Sequence, residues 1–243
     1  MPSAKENLIV AIDTPDLDRA IELAKVLKDK VFAVKLGLEF FSANGPKGVT
    51  KVIEQGVDIF LDLKFHDIPN TTAGAIREVT KLGVKMLTIH TYGSKEMMKA
   101  AVEAANSVSQ EMGIRPPLIV GVTILTSIDK LDLSLLEREN EEDNSDPDIQ
   151  MRVKNLVRVA KDSGLDAIVC SAREVATAVS LNTGMKFITP GIRFLSDDKG
   201  DQKRVLTPKE ALQFGADYLV MGRSITGTGD VLERVEYFNK SLL

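Results

Sequence analysis

The stretch EQGVDIFLDLKFHDIPNTT, residues 54–72, holds one complete unit of the fold. A helical pattern stops at Gly56, the residue type that most readily takes the left-handed conformation at a helix C-terminus. The run DIFLDLKF (58–65) then reads as a strand, apolar except for Asp58 at its start and for Asp62 and Lys64 towards its end. Pro69 and a hydroxyl-rich turn follow, ahead of the helical pattern TTAGAIREVTKLG. Side chains alternate faces along a strand, so Asp62 and Lys64 share one face while Leu61 and Leu63 take the other. With the leucines turned towards a helix layer, both charges point inward.

The same unit recurs along the chain. Strand patterns are LIVAID (8–13), VFAVKLGL (31–38), DIFLDLKF (58–65), MLTIHTY (86–92), PLIVGVTILT (117–126), AIVCSA (167–172), KFITPGIR (186–193) and YLVMGRSIT (218–226). Segments such as DLDRAIELAKVLKD lie between them with apolar residues at helical spacing. The punctuation of EQGVDIF returns in KLGVKML, DSGLDAI and QFGADYL. Strands alternating with helices imply a parallel sheet. Eight strands are the number that closes such a sheet into a (β/α)8 TIM barrel, and 243 residues suit one such domain, 1–243. A doubly wound open sheet is the alternative, but no GxGxxG follows the first strand. The rhythm breaks at residues 128–150, an insertion in which positions 137–148 carry seven acids against the single Arg138. It reads as a solvated excursion, or as a lid, because it leaves from the C-terminal end of a strand.

Composition narrows the function. Hydrophobic residues make up 44% and interspersed charges 27%, as in an ordinary soluble protein. The net charge of −4 argues against nucleic acid as a partner, since neutralising phosphates needs a basic surface. A lone Cys170 excludes an intrachain disulfide and a cysteine zinc cage, and its place in AIVCSA reads as core. No secretory signal and no membrane-length apolar run stand out, so the expected location is cytoplasmic, with no membrane partner.

Barrels of this kind do their chemistry at the C-terminal strand ends, drawing residues from several strands. Asp13 ends the first strand pattern, Lys35 lies near the end of the second, Asp62 and Lys64 close the third, and Asp67 follows. Buried singly, such charges are costly; alternating in sign, they form a network at one rim. Salt bridges plugging the barrel end would be the bland account of a single pair, but three adjacent strands delivering charges point to catalysis. After the last two strands, PGIR supplies Gly191 and Arg193, and MGRSIT supplies Gly222 and Arg223. The loops after strands seven and eight are the usual phosphate site of this architecture, where backbone N–H groups and arginine hold the anion.

These residues resemble the orotidine 5'-phosphate decarboxylase family, whose signature Asp-x-Lys-x-x-Asp-Ile-Pro-Asn-Thr is matched by DLKFHDIPNT at 62–71. The likeness runs through AID, VKLG, LTS (125–127), PGIR with Gln202 beyond it, and MGRSIT. It implies loss of carbon dioxide from orotidine 5'-phosphate, giving uridine 5'-phosphate in pyrimidine synthesis, with no cofactor and no metal. Carried over by position, Lys64 resembles the proton donor, with Asp62 beside the scissile carboxylate. Lys35 and Asp13 resemble the residues that hold the ribose and complete the charge chain, Lys35 with a catalytic part. Thr126, with Ser127, resembles the pyrimidine contact. Gln202 and Arg223 resemble the phosphate ligands, with the Gly222 backbone and Arg193 on that side. Asp67 and Thr71 resemble the pair that reaches into a neighbouring subunit's site, which implies a homodimer with shared active sites. One departure is HTYGS (90–94), where many relatives carry two consecutive glycines.

The nearest rival is a related phosphosugar barrel, a decarboxylase or hexulose-phosphate synthase whose acids help hold Mg²⁺. The DIPNT tail and the two arginine loops favour the nucleotide enzyme. A silent phosphometabolite-binding barrel is the rival from outside enzymology. His66 and His90 lack the spacing of a metal site. His66 is expected to order the loop after the third strand, His90 to fill a polar layer at the mouth, and Met97 and Met98 to pack.

Overall fold

The computed structural model describes residues 1–128, 132–133, 149–195, 197, 206–227 and 229–243. Among the described residues eight strands are present: β1 (Leu8–Ile12), β2 (Ala33–Gly37), β3 (Ile59–Phe65), β4 (Met86–His90), β5 (Leu118–Val122), β6 (Ala167–Val169), β7 (Lys186–Thr189) and β8 (Tyr218–Met221). Each pairs in parallel with the next, and β8 pairs back to β1, closing the (β/α)8 barrel that the alternation implies. Between them run α2 (Leu17–Leu27), α3 (Leu38–Ile53), α4 (Pro69–Thr80), α5 (Lys95–Met112), α6 (Ile149–Asp162), α7 (Val175–Val179) and α8 (Pro208–Gln213). A short α1 (Ala4–Asn7) precedes the barrel, and α9 (Arg223–Thr226) and α10 (Val231–Ser241) follow β8. The glycines of EQGVDIF, KLGVKML, DSGLDAI and QFGADYL all have positive φ, from +76° to +97°. A side chain at these points would be strained, so these helix ends are written into the sequence.

Alternation along the strands sorts the core into two shells. Val10, Ile12, Val34, Leu36, Leu61, Leu63 and Leu87 face the helices. Ile9, Ala11, Ala33, Phe60, Met86, Val120, Ala167, Ile188 and Val220 fill the barrel interior. Its lower end is sealed by Phe32 stacked on Tyr218, ring centroids 4.2 Å apart. Cys170 belongs to the outer shell, and burial together with the nearby Glu174 pushes its thiol above the ordinary range. Met97 and Met98 are buried as expected. The insertion at 128–150 lies mostly outside the described residues, and with it both readings of its acidic part.

The expected strands are too long at the ends that matter. PLIVGVTILT leaves the sheet at Val122, AIVCSA at Val169, KFITPGIR at Thr189, and RSIT is a turn of helix. Thr91 and Thr123 each add a hydroxyl bond to the carbonyl that their own N–H already reaches, Thr91 to Val122 at 2.8 Å and Thr123 to Val169 at 3.0 Å. Beyond these ends Ile124 is buried outside any strand, and Ile192 is held by a lone parallel bridge to Leu206.

Candidate active site

A cavity of about 290 Å³ opens at the C-terminal end of the barrel. Phe60, in the inner shell, forms part of its floor. Asp13, Lys35, Asp62, Lys64, Thr126, Gly191, Arg193, Gly222 and Arg223 are on its walls. Residues from β1, β2, β3 and the loops after β5, β7 and β8 thus converge, as expected.

The charges form one chain. Lys35 Nζ donates to Asp13 Oδ1 at 3.1 Å and lies 3.7 Å from Asp62 Oδ2. Lys64 Nζ donates to the other oxygen, Asp62 Oδ1, at 2.9 Å. The Lys35 and Asp62 side chains are only 13% and 14% exposed, so this part of the chain is poorly screened by solvent; Asp13, at 59%, is its wet end. Burial alone pushes the Asp62 pKa up, but the Lys35 and Lys64 ammoniums and the bonds from Lys64 and Thr88 outweigh it, holding the carboxyl below its ordinary range.

The backbone of β3 is unusual here. Its register with β4 shifts between Leu61 and Phe65, and Lys64 has φ +51°, in the left-handed region. A lysine there carries a steric penalty that tertiary contacts must offset. The Lys64 N–H donates to Thr88 Oγ1 at 2.8 Å, and the Thr88 hydroxyl donates to Asp62 Oδ1 at 3.0 Å. Simple alternation therefore brings Asp62 and Lys64 together only with the help of a bulge. Thr88 was not among the residues expected from sequence. MLTIHTY puts Met86, Thr88 and His90 at alternate positions on β4, but nothing in that segment alone marks the hydroxyl out.

Other expected residues fall elsewhere. Ile124, Leu125 and Thr126 line the cavity, whereas Ser127, the next residue of the turn after β5, is exposed and off its wall. Asp67 and Thr71 are exposed and also outside this cavity's lining. Asp67 has a local task, its Oδ1 accepting the Ile68 N–H at 2.7 Å just before Pro69 starts α4. Gln202 lies outside the described residues. His66 and His90 rings sit 5.3 Å apart, and no group of three or more candidate ligands that could hold a metal ion occurs among the described residues. In HTYGS, Gly93 lies against the end of the Met97 side chain, where a Cβ would require the thioether to shift.

Arg234 joins the loop after β7 to the turn after β8. Its Nη2 donates to Asp197 Oδ1 and its Nε to the Ser224 carbonyl, both at 2.6 Å, and its guanidinium lies over the Phe194 ring. The loop carrying Gly191 and Arg193 is thereby tied to the turn carrying Arg223.

Residues 6–238 match the model of the "Orotidine 5'-phosphate decarboxylase / HUMPS family". An orotidine 5'-phosphate decarboxylase of Paramagnetospirillum magneticum is 46% identical over 92% of this chain and 93% of its own length. That of Coxiella burnetii is 42% identical over 100% of this chain and 99% of its own. The crystal structure of the enzyme from Lactobacillus acidophilus superposes with a TM-score of 0.81 at 33% identity, covering 98% of this chain and 99% of that one.

Proposed function

The chain belongs to the orotidine 5'-phosphate decarboxylase / HUMPS family, and we propose that it works through an ammonium, Lys64, aimed at the carbon that loses its carboxyl group. The enzyme is a carboxy-lyase that converts orotidine 5'-phosphate to uridine 5'-phosphate in pyrimidine biosynthesis. The observation that carries the mechanism is the Lys35–Asp62–Lys64 chain at the cavity wall, in which one carboxylate is shared by two amines.

Ring carbon six must accept an electron pair with no adjacent carbonyl to delocalise it. The Lys64 ammonium stabilises that charge as it develops and then gives it a proton, so the C–C bond is replaced by C–H while carbon dioxide leaves. Fixed charge aimed at a developing anion is usually the largest single catalytic contribution. Asp62 faces the departing carboxylate. Two like charges ~4 Å apart repel by about 4 kcal/mol at an effective dielectric near 20. At ~1.4 kcal/mol per decade that is roughly three decades of rate if it is relieved in the transition state.

Lys35 and Asp13 hold the ribose, and Thr126, with Ser127 behind it, reads the pyrimidine. Arg193, Arg223, the Gly222 N–H and Gln202 take the phosphate. Asp67 and Thr71 complete the site of a second subunit in a homodimer; their exposure outside this chain's own cavity supports that role. Ile68 between them, 68% exposed, supplies apolar surface for such a contact. The reaction uses side chains alone, in one barrel domain with an excursion at about 128–150, in the cytoplasm. The test is release of carbon dioxide from orotidine 5'-phosphate in a single turnover, wild type against Lys64→Ala.

A further inference from the structure

Thr88 sits on β4 with no solvent exposure, and its one hydroxyl makes two bonds of opposite sense. The Lys64 amide can only donate, so Oγ1 accepts there and its single proton goes to Asp62 Oδ1. Lys64 Nζ reaches that same carboxylate oxygen. A closed ring results: Lys64 amide to Thr88 hydroxyl, hydroxyl to Asp62 carboxylate, carboxylate to Lys64 amine. The ring spans the place where the β3–β4 ladder slips, so the hydroxyl stands in for the strand partner that the Lys64 N–H has lost.

We infer that Thr88 is a positioning residue: its hydroxyl locks Lys64 in its left-handed backbone conformation and orients the Asp62 carboxylate between the two lysines. Thr88 does not line the cavity, so it acts through Lys64 and Asp62. The inference rests on the decarboxylase reading for its kinetic consequence, though not for the geometry. Valine at position 88 keeps the shape and removes the hydroxyl. The Lys64 N–H is then buried without a partner, the amine loses its fixed direction, and Asp62 loses one bond that favours its ionised form. The rate falls, substrate affinity changes little, and the acid limb of the pH profile moves to higher pH.

The test compares wild type with Thr88→Val, Thr88→Ala and Thr88→Ser, using kcat and KM for orotidine 5'-phosphate across pH and thermal melting. Expected is a fall in kcat of about tenfold to a hundredfold in the first two, the loss of a bond to a charged group, with KM nearly unchanged. Thr88→Ser should recover most of the rate and the wild-type acid limb. A Thr88→Val enzyme with unaltered kcat and acid limb overturns the inference. So does a Thr88→Ser enzyme as impaired as the valine variant, which would assign the effect to the methyl group. If valine prevents folding, alanine carries the same comparison. Should the wild type release no carbon dioxide, the decarboxylase reading fails. The geometry is then decided by ¹³C carboxylate NMR, where an Asp62 midpoint identical in wild type and Thr88→Ala overturns it.

Discussion

Lys64 Nζ lies 2.9 Å from Asp62 Oδ1, and the lysine making that contact does so from a backbone φ of +51°. The strand that delivers the amine is bent out of its ladder to do so, and conformational energy is held where the chemistry takes place.

Replacing Lys64 separates its two burdens. Lys64→Ala and Lys64→Gly should both fold and both lose at least about a thousandfold in turnover, as when a general acid and a fixed charge go together. Glycine, indifferent to positive φ, should melt higher than alanine by the equivalent of about 1 kcal/mol. Equal melting temperatures would mean that the left-handed backbone costs nothing.

Asp67 provides a test of sharing between subunits. Inactive Lys64→Ala and Asp67→Ala chains, mixed and allowed to exchange, should regain about a quarter of the wild-type rate, from random pairing in a two-fold dimer with one restored site per mixed pair. No recovery after exchange is verified by mass spectrometry would place Asp67 in its own subunit's economy of contacts.

His90 makes stability depend on pH. Burial, then the positive potential of His66 and Lys64, hold its imidazole below the ordinary value, against the pull of Asp62. Unfolded, the ring titrates near 6.5. Between the depressed folded value and that point the unfolded chain binds more protons, so stability rises with pH there and is lost as pH falls below about 6.5. His90→Gln should flatten this part of the curve in urea unfolding. A wild-type and variant pair with parallel curves would remove His90 as the source.

Arg234 should affect binding before turnover. Arg234→Met breaks the tie between the loops after β7 and β8, the proposed phosphate site, at a cost of about 2–3 kcal/mol, typical of a charge-assisted bond lost from a sheltered site. KM for the phosphorylated substrate should rise more than kcat falls. An unchanged KM beside a lowered melting temperature would confine Arg234 to the scaffold.

Exhaustive chelation should leave the rate intact, because the proposed charges are Asp62, Lys35 and Lys64 rather than Mg²⁺. Loss of activity on chelation, restored by Mg²⁺, would favour the phosphosugar branch of the family.

Much of this was legible in the sequence, for identifiable reasons. Gly56, Gly83, Gly164 and Gly215 mark helix ends because only their backbone conformation permits the turn. Leu61 and Leu63 gave the facing of Asp62 because alternation is a property of any strand. The strand limits after Val122 and Thr189 were hidden, since loop residues such as Ile124 and Ile192 are buried as deeply as strand residues. The bulge at Lys64 was hidden too: it arises from a register between two strands and no single segment records it. Thr88 followed it out of sight, because a hydroxyl amid Met, Leu and Ile says nothing until its neighbour across the sheet is known.

The aromatic stack of Phe32 on Tyr218, with Ile9, Phe60 and Met86 layered above, turns the barrel into a vessel stoppered at its base. Whatever enters to react must depart by the same opening. Nucleotide arriving and nucleotide leaving therefore compete for one passage, and uridine 5'-phosphate should inhibit competitively as it accumulates.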